Sequence, residues 1–156
     1  MNFAEMSDME LMDEIEKACA ENDEHLKKQL IAASKEESRI PAFVFEMLYE
    51  IIDYDLNFII EILKNASERE KKALLDDVMD PEGLEELFRE YENPKDLTLE
   101  YIVQGRGEDT LWMVNTGEAP DDLSRAYLER CLLTIAYHLG FEEEIKHFFE
   151  TILLNF

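Results

Sequence analysis

Residues 41–64 read PAFVFEMLYEIIDYDLNFIIEILK, and the order of polar and apolar residues in that stretch decides the fold. Glu46, Glu50, Asp53, Asn57, Glu61 and Lys64 recur at steps of three and four, the period of an α-helix, where a half-buried strand would alternate at two. They form one narrow stripe, and nearly everything else is Val, Ile, Leu, Phe, Tyr or Met. A helix apolar on almost all sides belongs in a core. Pro41 suits its first turn, where a missing N–H costs nothing. Asp55 spoils the pattern, because on a straight helix it would point opposite the stripe, into the apolar side. A buried carboxylate needs a partner, whereas one at a helix start needs only a local N–H. The reading is therefore a kink, with Asp55 capping a second helix.

The helical period continues outward from there. Ser7 with Glu10 three residues later is a capping box for a helix to about Ala20. Met9, Met12, Ile15 and Cys19 are expected on one side of it and Glu10, Asp13, Glu14 and Glu21 on the other. Asn22 or Asp23 caps a second helix to about Ser38. Ser67 and Glu70 box a helix to about Met79, and Asp80 with Pro81 starts another ending near Tyr91. Asp121 or Asp122 opens a helix to Leu139 that Gly140 ends. A last helix sets Phe141, Ile145, Phe148, Phe149, Ile152 and Phe156 on one face. Residues 92–122 break the pattern with Pro94, Gly105, Gly107, Gly117 and Pro120. Runs 97–104 and 110–115 are rich in β-branched and aromatic residues, so the reading is a β-hairpin closed by a 105–109 turn, with a short helix over 97–104 as the alternative because the runs lack clean alternation. The expected architecture is all-α: one helical domain over residues 1–156 with six or seven helices, the hairpin near 97–115 being its one optional β element.

Charge bounds the function. The 156 residues carry 38 Asp and Glu against 15 Lys and Arg, net −23, where solubility alone asks for a magnitude of about 2–8. Residues 1–24 contribute −8, residues 76–92 −7 and residues 108–122 −5, while 25–75 is nearly neutral. At 46% hydrophobic the chain is too apolar for disorder. Nucleic acid and anionic membrane, both polyanions, are excluded as partners, and a basic protein is the natural counterpart. Cys19 and Cys131 are too few for a disulfide framework and read as core residues of a reducing compartment. The N-terminus has no signal-peptide pattern, and no apolar run approaches 18 residues, so a cytoplasmic location is expected.

Several patterns could carry chemistry. Glu21-x-x-Glu24 followed by Glu50-x-x-Asp53 resembles the ligand pairs of all-helical, magnesium-dependent nucleotide pyrophosphohydrolases of the MazG kind. The resemblance implies a Mg²⁺ held by those four carboxylates and activating a water. With 26 Glu and 12 Asp such pairs also arise by chance, and Glu50 and Asp53 lie on the solvated stripe. Glu144-x-x-His147 has the spacing of half a di-iron site, but no second Glu-x-x-His accompanies it. His138 shares a side with Tyr127, Cys131 and Ile135 and is expected buried, and Gly105-Arg106-Gly107 reads as a surface turn. Met6, Met9 and Met12 make an apolar stripe suited to a core or a groove.

The favoured function is non-catalytic and needs no cofactor or metal. It is an acidic inhibitor that binds a basic, nucleic-acid-handling protein and blocks its nucleic-acid site, as nucleic-acid mimics, immunity proteins and anti-defence proteins do. The expected partner-binding residues are Glu10, Asp13, Glu14, Glu21, Asp76, Asp77, Glu82, Glu85, Glu86, Glu108, Asp109, Glu118, Asp121 and Asp122. On helices, acids three and four apart stand about 5–6 Å from one another, in rows. One alternative is a scaffold or assembly chaperone working through the Met6–Met12 stripe or the aromatics near Trp112. The other is the Mg²⁺-dependent hydrolase.

Overall fold

In the computed structural model, which describes residues 1–106 and 125–156 (the backbone alone for 104–106), every regular element is helical. The residues group into two compact units, Met1–Glu70 and Lys71–Phe156. The first holds a 3₁₀ turn at Phe3–Glu5, then α1 (Asp8–Ala20), α2 (Glu24–Ala33), α3 (Arg39–Glu46), α4 (Leu48–Ile51) and α5 (Leu56–Leu63). Stretch 41–64 thus breaks twice, at Met47 and before Leu56. The second break is the expected kink, where Asp55 in extended backbone accepts the Phe58 N–H at 3.2 Å and caps α5. Its other oxygen receives the Lys27 ammonium at 2.9 Å. Asp55 is therefore both a cap and the partner of a buried cation.

Ser7 and Asp23 cap α1 and α2 through the N–H groups of Glu10 and Leu26. Between these helices Asn22 takes a left-handed φ of 51°, which Asn tolerates better than most residues. The core of this unit comes from Leu11, Ile15, Leu30, Ile40, Val44, Ile51, Ile52, Leu56, Ile59 and Ile62. α1 packs on α2 and α3, and α5 packs on α2 and α3. The expected buried side of α1 needs correcting. Leu11 faces in with Ile15, Ala18 and Cys19, while Met9, a third of a turn away from Ile15, is 74% exposed. Arg39 ties down the N-terminal segment by donating to the carbonyls of Phe3 and Met6 and to the carboxylate of Asp8.

The chain enters the second unit along α6 (Glu68–Val78), which opens with a complete capping box. Ser67 Oγ accepts the Glu70 N–H, and the Glu70 carboxylate accepts the Ser67 N–H at 3.1 Å. α7 (Pro81–Phe88) begins as expected with Asp80 as cap and Pro81 in the first turn. A 3₁₀ turn at Pro94–Asp96 follows, and residues 99–106 are helical, with π-type turns from Tyr101 to Arg106. This corrects the first strand of the expected hairpin in favour of the short helix. Leu99, Ile102 and Val103, all buried, stand at helical spacing, and Thr98 Oγ1 caps the segment by accepting the Tyr101 N–H. Run 110–115, the 105–109 turn beyond Arg106 and Trp112 lie outside the described residues.

α8 (Arg125–His138) and α9 (Glu142–Leu153) complete the unit. Gly140, with φ 98°, turns the chain between them in a conformation that a side chain would strain. α8 packs against α7, α9 and the 99–106 turns. Phe88 receives Phe149 and Phe156 edge-on, with ring centroids 4.8 and 5.3 Å away. Cys131 is buried here and Cys19 in the first unit. His138, expected inside, is exposed, because the buried run of α8 ends at Ala136 and the last residues of the helix emerge beside Tyr137. Among the described residues no helix is long and apolar enough to cross a membrane.

Candidate partner-binding surfaces

α1 buries one stripe and turns the rest outward, so its acids follow from the same periodicity as its core. Glu10, Asp13 and Glu21 are exposed, and Glu14 is half-buried with Oε2 shielded from water and without a hydrogen bond among the described residues. None of the four forms an ion pair among those residues. Beside them α1 and α4 flank a cleft of about 280 Å³, whose walls carry Asp13, Glu16 and Glu50, the ring of Tyr54 and one base, Lys17. Three carboxylates and an aromatic face are the groups that hold a guanidinium or an ammonium. Its volume is below the roughly 300–1,000 Å³ of drug-sized ligand sites and suits single side chains.

In the second unit Asp76 and Asp77 are exposed near the end of α6, and Glu82 and Glu86 are exposed on α7. Glu85, half-buried, reaches only Arg89 among the described residues, at 3.9 Å. The remaining expected contacts, Glu108, Asp109, Glu118, Asp121 and Asp122, lie outside the described residues. The acids that do find strong partners are others. Asp8 binds Arg39, Asp55 binds Lys27, Asp80 binds Arg125, Glu90 binds Arg130 and Glu100 binds Lys146. The sites named from the sequence and the acids used to hold the fold are nearly separate sets.

Glu21, Glu24, Glu50 and Asp53 are not gathered as the hydrolase resemblance implies. Glu24 leans to Lys27 at 3.5 Å while Glu50 lines the α1–α4 cleft. Among the described residues no group of three or more His, Cys, Asp or Glu side chains is arranged to hold a metal ion. Two buried charges went unseen in the sequence. Lys27 is 2% exposed, held by Asp55 and by the Asn22 side chain and 6.0 Å from the Phe58 ring centre. Asp55, opposite its stripe, was the signal that a cation lay near. The Cys19 thiol beside them is pushed up to about 11, first by burial; Lys27 opposes that rise and Asp55 adds to it. Glu129 is buried in α8 and no local pattern announced it. No protein-family model, no curated protein and no solved structure matches the chain.

Proposed function

We propose that this protein binds a basic, nucleic-acid-handling protein through its acidic helices and occupies that protein's nucleic-acid site. The carrying observation is the separation of its acids into two sets. The ones that stabilise the fold are paired, whereas Glu10, Asp13, Glu21, Asp76, Asp77, Glu82 and Glu86 stand exposed without a counter-charge among the described residues. Leaving such rows unpaired costs stability through self-repulsion, so they are retained for contact with something positive. The α1–α4 cleft deepens the fit: an Arg or Lys of the partner enters between Asp13, Glu16 and Glu50 and lies on Tyr54.

The test begins with material retained on the protein at about 50 mM salt and released at high salt, identified by mass spectrometry. A basic protein with a nucleic-acid site is expected. Changing Asp76, Glu82 and Glu86 together to Lys should slow its association by about tenfold and flatten the salt dependence, since exposed charges act mainly on encounter. Changing the exposed Lys28 and Lys35 to Gln should do neither. Association and salt slope that survive reversal in both acidic helical regions would defeat the proposal.

A further inference from the structure

Glu129 lies in mid-α8 with 5% of its surface exposed, and its Oε2 is buried without a hydrogen bond among the described residues. Across the seam it faces Gly83 of α7 so closely that a Cβ there would overlap Oε1. A carboxylate in such a place lacks the donors that stabilise its charge, whereas the neutral acid is tolerated. Among the described residues the cation beside it is Arg125, with Nε 4.0 Å from Oε1, and the same guanidinium is already held by Asp80. Asp77 at the end of α6 and Asp80 at the start of α7 both bring like charge to bear on it. Glu82 and Glu86 of α7 are turned to solvent, and on the other elements packed against α8 the Lys146 ammonium of α9 is taken by Glu100.

We propose that Glu129 is a proton-operated latch in the α7–α8 seam: neutral, it lies against Gly83 and lets the helices close; ionised, it loosens α7. Burial, reinforced by Asp80 and opposed by Arg125, lifts its carboxyl from an ordinary 4.5 to about 7. The sign follows from which form holds the proton. Between 4.5 and 7 the closed form is protonated while the open form is not, so closure weakens as pH rises. The opening constant should grow about tenfold per pH unit across that interval and level off above it. The latch acts on the helix that carries Glu82 and Glu86, yet its operation does not depend on what they bind.

Side-chain carboxyl NMR and amide hydrogen exchange test it together. The Glu129 carboxyl resonance should titrate near neutrality. Exchange of the α7 amides, corrected for intrinsic rates, should rise about tenfold per unit between pH 5 and 7 in the parent protein and stay level in Glu129→Gln, which copies the neutral acid. The two proteins differ at this one side chain, so the difference isolates Glu129. A Glu129 resonance that titrates with the exposed glutamates, or an equal exchange slope in both proteins, would overturn the proposal. The titration of the parent protein decides the matter even where the Gln variant does not fold.

Discussion

Removing the Lys27 ammonium would strand the Asp55 carboxylate beside the core, one of its oxygens still capping α5. Breaking a buried pair from one side costs about 3–5 kcal/mol, more than the pair itself contributes, because the remaining charge loses its solvent and its partner together. Lys27→Met should therefore lower unfolding stability by several kcal/mol in a urea titration. Asp55→Asn keeps a capping oxygen but removes the charge. In the Lys27→Met, Asp55→Asn double variant most of the loss should return. If the double variant were as unstable as the sum of the singles, the ammonium would be acting through its packed stem and not through the ion pair.

At the scale of elements, the seam of α7 and α8 depends on the absence of one side chain. Ala at position 83 would gain about 1 kcal/mol of helix propensity but would drive a methyl into the buried Glu129 carboxyl. Overpacking of that kind costs about 1–3 kcal/mol, so Gly83→Ala should be net destabilising. Glu129→Ala, which clears the space, should make the same change neutral or favourable. Such contacts explain what could and could not be read beforehand. The caps at Ser7, Asp23, Asp55, Ser67 and Asp80, and the turn at Gly140, are interactions within about three residues, and the sequence displays both partners. Gly83 and Glu129 lie 46 positions apart, and nothing near either announces the other. The 99–106 helix was hidden differently. Its β-branched composition argued for a strand, and in the structure Leu99, Ile102 and Val103 are buried at helical spacing. The exposure of Glu10, Asp13, Glu21, Asp76, Asp77, Glu82 and Glu86 was legible because surface charge on an amphipathic helix needs no tertiary contact to be predicted, and the α1–α4 cleft was not, because Asp13 and Glu50 meet only in the fold.

For the whole molecule, net −23 makes salt a stabiliser. The screening length falls from about 30 Å at 0.01 M to about 8 Å at 0.15 M, which damps repulsion among the exposed acids and leaves the Lys27–Asp55 pair nearly untouched. The melting temperature should rise by several degrees over that range and change less beyond it. A temperature that fell with salt would mean that surface ion pairs outweigh repulsion. A last consequence comes from the two cysteines. Each unit conceals one, Cys19 in Met1–Glu70 and Cys131 in Lys71–Phe156. Alkylation requires a thiolate that has reached water, and with Cys19 raised to about 11 its modification in the closed protein is slow at neutral pH on two counts. The chain thus carries its own pair of chemical clocks. Timed labelling followed by peptide mass analysis reads the breathing of each half separately, with no cysteine introduced: a shared rate under mild denaturant marks one cooperative melt, and two rates mark halves that open on their own schedules.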